Sequence, residues 1–532
     1  MVFYTDYKNQ QWLLPPNIED LIPKDHICYL VDEIIESIDF RDIEDRYKGP
    51  GHPAYHPKII LKLLLMGAID GIRSSRKISR NAKENIIYMF LTGKLKPDFR
   101  TISDFRKNNP ELVKFCFKEV VKFAKNLGMV RFGHLSIDGT KIKASASRDK
   151  TLTKEELQFL EEIIENEIAE GIKEDLQEDN VYGEDKDGYG LPDSITLNEH
   201  IKKFIQKRLE EKGIKCSNKK AITKIIKDYL KGNKEKKDKI EDCVHKAHEE
   251  LNKSDMNAIS LTDPESRFMK NKNGHSEHSY NAQITVDKEQ NIIVANDVVQ
   301  DRNDRNQLIS QIEQSEENIG HELPKGIEIS ADNQYYKGKN LKYLDDRGFD
   351  GYIPDKNIAQ MVKGRSAKKN PYSKENFEYN QANDTFVCPN GMMLTFRYEY
   401  FDKYNKRKIR IYKGTICRDC VHYKECVKNK EGIKTIVSYG FEKEKLDMVR
   451  KFETENGLKK YKTRAKIVEC VFGDILRNGS MREFLTRGIR AVKTEFNLGC
   501  VAHNIKRIYT FIRKIITGNA DNYEIASKLN LC

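Results

Sequence analysis

The period of the hydrophobic pattern changes near residue 133, and that change limits the fold more than any other feature of the chain. Before it, apolar residues recur at helical spacing over 27–37, 57–71, 85–91 and 110–127. In the last of these, Leu112, Phe115, Val120, Phe123 and Leu127 lie near one stripe, Pro110 suits a first helical turn, and Gly128 suits a stop. Between them, 98–109 (DFRTISDFRKNN) offers Thr101 or Ser103 as a helix cap, which is compatible with a helix-turn-helix arrangement. After it, 133–144 (GHLSIDGTKIKA) alternates and predicts a strand that runs into a turn at Asp138-Gly139-Thr140. Strands follow at 282–286 and 292–299, then a helix over 304–317, a buried strand over 326–331 ending at Asp332, a helix over 339–347 and a strand over 351–354.

This order predicts an α/β core, a mixed sheet with helices on its faces, set in a chain that is α+β overall. Ribonuclease-H-like cores have the order, and many other α/β proteins share parts of it. Two segments interrupt it. Residues 149–260 are rich in Lys, Glu, Asp and Ile, and predict a charged helical arm with helices at 154–176 and 199–211 around an acidic loop at 177–193. Residues 359–445 combine loop-like runs with β-prone stretches and a cysteine cluster. The expected division is a helical segment 1–130, an α/β core at 131–148 and 261–358, the insertions 149–260 and 359–445, and a helical remainder of the core at 446–532.

The longest apolar run, 59–68, is interrupted by Lys62 and is too short for a bilayer. The start of the chain lacks a basic stretch followed by an apolar one, so a cytoplasmic protein is expected. The formal charge of +12 decides little over 532 residues, but its distribution says more. Residues 72–107 hold Arg73, Arg76, Lys77, Arg80, Lys83, Lys94, Lys96, Arg100, Arg106 and Lys107 against Glu84, Asp98 and Asp104. Such a block suits phosphate binding, and equally a solvated helical face.

Asp138 and Asp332 both fall at predicted strand ends, where open α/β sheets place their sites. Two such carboxylates can share a pair of divalent cations. Mg²⁺ suits them, since it prefers few carboxylates and takes phosphate oxygens. Read singly, each is as well explained as a turn residue. Glu469 sits among Ile467, Val468, Val471, Phe472 and Ile475 on a helix predicted over 463–477, where a carboxylate needs a cationic partner or an edge position that reaches water. Cys388, Cys417, Cys420 and Cys426 include one CxxC pair and could hold a tetrahedral structural Zn²⁺, with His422 as an alternative ligand. Reduced, partly buried thiols are the other reading.

The ordered blocks HPKIILKLLLMGAIDGIRSSRKI, DFRTISDFRKNN, LSIDGTKIKA, TDPESRFMKNKNG, YNAQITVD, ISADNQYYKG, IVECVFG, REFLTRGIRAVKTEF and AHNIKRI span nearly the whole chain. Together they resemble the DDE transposases of bacterial insertion sequences, in a branch with a four-cysteine insertion. The resemblance implies a ribonuclease-H-like catalytic domain, dependence on Mg²⁺ or Mn²⁺, cleavage at terminal inverted repeats, strand transfer into target DNA, and a homodimer on DNA. It assigns Asp138, Asp332 and Glu469 as the metal-binding acids and Arg464 as a group near the scissile phosphates. Two departures stand out. Relatives carry Gly where this chain has Gln334, and a phosphate-holding Lys where it has Leu476. Arg477 is next in the chain, but on an ordinary α-helix it points about 100° further round. A transposase-derived DNA-binding protein with impaired catalysis is the alternative, and the intact acids speak against it.

Overall fold

The computed structural model describes residues 17–41, 54–164, 193–216, 218–254, 256–271, 274–364, 371–403 and 407–517. The first helices follow their caps. Ile27–Ser37 starts where the His26 ring accepts from Cys28 N, and Pro57–Ile69 starts with Pro in its first turn. Phe99–Asn108 is capped by Asp98, which accepts from Arg100 N at 2.6 Å and Thr101 N at 3.1 Å, not by Thr101 or Ser103. A carboxylate at that position satisfies two orphan amides at once and complements the helix dipole. In Pro110–Asn126 the inward stripe is Val113, Cys116, Phe117, Val120, Val121 and Ala124, and Phe115 faces out.

The central sheet is built from β1 (His134–Lys143), β2 (Ser276–Asp287), β3 (Ile292–Val299), β4 (Glu328–Ala331) and β5 (Asp350–Tyr352) in the order β3-β2-β1-β4-β5. Strand β2 runs antiparallel to β1 and β3, while β1, β4 and β5 run parallel. These are the order and senses of a ribonuclease-H-like core. Arg267–Lys270 pairs with the first part of β2. Strand β1 does not turn at Asp138; its ladder with β2 continues from Leu135↔Asp287 to Lys143↔Ser279. One hydrophobic core joins this sheet to the first helices and to the long helix Ile489–Thr517. Asn504 of that helix bonds both Ile293 N and Ile293 O at 2.9 Å, satisfying the otherwise unpaired, buried edge of β3.

The first insertion has its own core, from Leu152, Leu157 and Phe159 to Ile222, Ile226 and Leu251. Its base is a two-stranded pairing of Thr151–Thr153 with Ala258–Ser260. Helices Lys154–Glu162, Asp193–Glu211, Lys219–Leu230 and Lys234–Lys253 fill it. The predicted acidic loop lies outside the described residues except Asp193, as does the predicted helix beyond residue 164. The second insertion is a five-stranded antiparallel sheet running from Glu378–Asn380 at one edge to Thr435–Ser438 at the other.

Candidate active site

The parallel ladder places the first two acids side by side. It pairs Ser136 with Ser330 and Ile137 with Ala331, so the next register position holds Asp138 against Asp332. Asp138 thus marks the end of the parallel pairing, although its own strand runs on. Asp332 also caps a short 3-10 turn, accepting from Gln334 N at 2.8 Å. That bond uses backbone and needs no glycine, and Gln334 does not adopt a positive φ.

Burial pushes Asp332 up to about 6, and the charge of Asp138 adds to the rise. Helix Glu455–Gly473 packs across β1 and β4 and brings Arg464 to 3.2 Å from Asp138. The Arg464 guanidinium also lies 5.7 Å from the Tyr461 ring centroid. Two adjacent, half-buried carboxylates against one guanidinium leave net negative charge in a low-dielectric cleft, and their oxygens are donors that Mg²⁺ or Mn²⁺ takes.

Beneath the pair lies a network that sequence reasoning passed over. Asp304, almost fully buried, is paired with Lys141 at 3.0 Å and accepts from Gln283 at 2.8 Å and from Asn281. Tyr335, wholly buried, donates to Gln283 Oε1. A Cβ on Gly139 would stand 2.1 Å from Gln283 Nε2 and 2.8 Å from Asp304 Oδ1. Gly139 is therefore required by close approach inside a strand, not by a turn. The sequence signals for the network were the blocks YNAQITVD, with Asn281 and Gln283, LSIDGTKIKA, with Gly139 and Lys141, and ISADNQYYKG, with Tyr335.

Glu469 does not join the pair. It lies exposed, off the buried face formed by Ile467, Val468, Val471 and Phe472. Among the described residues no three His, Cys, Asp or Glu side chains stand together at metal-holding spacing. The helix then widens into a π turn over Asp474–Asn478. Such a turn holds one residue more than an α-turn. It carries exposed Arg477 back toward the direction Leu476 would take on an unbroken α-helix, while Leu476 packs on the core. His503 Nδ1 lies 2.7 Å from Asp474 and its Nε2 is 3.0 Å from Asn291 O, which ties the π turn to the AHNIKRI helix. The His503 bond holds Asp474 down at about 2.

The basic block divides. Arg73 is buried in an ion pair with Glu495 at 2.7 Å and donates to Glu483 O, and Arg106 donates to Arg73 O at 3.1 Å. Arg73 fastens the first helices to the loop before helix Ile489–Thr517 and Arg106 braces Arg73, so both guanidinium groups are engaged within the protein. Arg76, Lys77, Arg100 and Lys107 are exposed, and the Arg76 guanidinium sits 4.7 Å from the exposed Phe99 ring centroid. Cys388, Cys417, Cys420 and Cys426 line one small cavity in the second insertion. Met392 N and Lys434 N donate to the sulfurs of Cys388 and Cys417 at 3.3 and 3.4 Å. His422 is not among the cavity's lining residues; its ring lies beside Tyr372.

A family model described as a transposase DDE domain matches residues 387–509, and one described as a transposase domain (DUF772) matches residues 16–108. No curated protein matches the chain. No helix among the described residues is long and apolar enough to cross a membrane. The first match contains Arg464, Glu469 and the π turn, the second contains the basic helices, and the core between them carries the adjacent acids. The two transposase-domain matches, with the adjacent acids between them, indicate a DDE transposase of insertion-sequence type, an enzyme that cleaves and joins DNA strands.

Proposed function

We propose that Asp138, Asp332 and Glu469 hold the divalent ions of this transposase, Mg²⁺ or Mn²⁺, for cleavage at terminal inverted repeats and strand transfer into target DNA. The observation that carries the reading is the placement of Asp138 and Asp332 just past the end of the parallel ladder, close enough for the charge of Asp138 to help push Asp332 up to about 6. Bound divalent ions would activate the attacking oxygen and stabilise the leaving oxygen of an in-line displacement. The chain's own groups bind and orient. Arg464 offers a planar fork to a phosphate beside Asp138, and the Asp304 network fixes the floor beneath the acids. Glu469, exposed on its helix and apart from the pair here, would complete the set once metal and DNA are bound.

DNA would lie along Arg76, Lys77, Arg100 and Lys107 and reach Arg477, with a homodimer pairing the two element ends in the cytoplasm. Cys388, Cys417, Cys420 and Cys426 share one cavity without standing at metal-holding spacing; a structural Zn²⁺ of the four-cysteine branch would be held by these four thiolates drawn closer together. In the proposed division at 130, 148, 260, 358 and 445, the separate cores of 149–260 and 359–445 support treating those two segments as insertions. The test is cleavage of duplexes carrying the inverted repeats that flank the gene, with the unaltered protein beside Asp138→Asn and Glu469→Gln. Both variants should lose cleavage by several orders of magnitude; equal activity in all three overturns the assignment.

A further inference from the structure

We propose that the first insertion carries a second DNA-holding surface, a lysine groove between helices Asp193–Glu211 and Lys219–Leu230 that seats the phosphate backbone of duplex DNA. The groove, of about 610 Å³, is lined by Lys202, Lys219, Lys220, Lys224 and Lys227, with Asp228 as its one described acid. Lys219 donates to Gln206. Lys202, Lys220, Lys224 and Lys227 have no carboxylate partner among the described residues, although elsewhere the same insertion pairs Lys212 with Glu162, Lys239 with Glu235 and Lys253 with Glu249. Four lysines unpaired among the described residues thus converge on one groove, against a single described acid, Asp228.

The helix fixes their direction. Ala221, Ile222, Ile225 and Ile226 are buried in the insertion's core, so Lys220, Lys224 and Lys227 form an outward stripe at i, i+4 and i+7. Like charges at that spacing weaken a helix unless an anion faces them. The stripe is about 10 Å long, at 1.5 Å per residue. That length faces about three phosphates of one strand, spaced 3.4 Å along the axis. An extended polyanion fits such a row better than a compact one does. The proposal rests on the reading of the chain as a DNA transposase, and it assigns DNA contacts to a segment separate from the basic helices near the start of the chain.

The test is the salt dependence of binding to a random duplex by the full-length protein without added divalent ions, measured by fluorescence anisotropy over a KCl series. Replacing Lys220, Lys224 and Lys227 together by Gln should lower the slope of log affinity against log salt by about 2.7, or 0.9 per lost phosphate contact. The matching Lys→Arg triple should keep the slope, and circular dichroism should be the same for all three proteins. An unchanged slope in the Gln triple overturns the groove. So does a change shared by the Arg triple. If these lysines instead serve the acidic stretch at 177–193 of the chain itself, the Gln triple binds DNA no more weakly, and the proposal falls. Unaltered protein without salt-dependent duplex binding overturns groove and transposase reading together. The cleavage response to Asp138→Asn tests the catalytic assignment alone.

Discussion

An aspartate held near 6 in the fold and near 4 in the unfolded chain takes up its proton more readily when folded. Asp332 therefore favours folding at low pH, and that contribution is lost as pH rises from about 4 through about 6. At pH 7 without metal its ionised form costs about 1–3 kcal/mol, two pKa units being an upper bound. Asp332→Asn keeps an acceptor for Gln334 N, so it should stabilise the metal-free protein by that amount in urea unfolding while removing cleavage. An unchanged midpoint refutes the strained placement. A bound divalent ion must also displace that proton below about pH 6, so Mn²⁺ affinity measured by titration calorimetry should fall nearly tenfold per pH unit there and stay level above. Gly139 makes a separate point. Locally, Asp-Gly reads as a turn, and only the pairing of β1 with β2 shows that the strand continues. Gly139→Ala drives a methyl into Gln283 and Asp304 and should cost about 1–3 kcal/mol in the same assay.

Elements were legible where their periodicity was local. Helix Ile27–Ser37 and β3 fall on their predicted ends, because an apolar stripe or an alternating run is written in the residues themselves. The π turn at Asp474–Asn478 was not legible, since it depends on His503, itself held by Asn291 O, gripping Asp474 from elsewhere in the chain. It also changes the meaning of Leu476. On a continuous α-helix the outward position falls to an apolar residue; with one residue more in the turn it falls to Arg477, and Leu476 goes to the core. Arg477→Ala should therefore reduce the salt slope of DNA binding by about 1. Leu476→Lys should not rescue it, because a lysine there starts from the buried side. Rescue would show that the helix runs as an ordinary α-helix when DNA is bound.

At the scale of the whole molecule, charge density marked the basic segment but could not separate the cations that hold the protein together from those that face outward. Arg73 and Arg76 stand three residues apart with opposite fates. Arg73 reaches Glu495, which is 2 % exposed and also accepts from Leu485 N and Thr486 N, so the first helices, the loop after the π turn and helix Ile489–Thr517 meet at one buried ion pair. Removing the guanidinium leaves a buried carboxylate without its counter-charge, a loss of about 3–5 kcal/mol. Arg76 packs its guanidinium on Phe99 at the surface, and its removal should change stability by no more than about 0.5 kcal/mol. The pair of substitutions therefore divides cleanly. Arg73→Ala should shift the urea midpoint strongly and keep the salt slope of DNA binding in whatever protein stays folded. Arg76→Ala should keep the midpoint and lower the slope by about 1. The reverse pattern would place Arg73 on the DNA and Glu495 in an unpaired site, and the joint between the two matched regions of the chain would have to be redrawn.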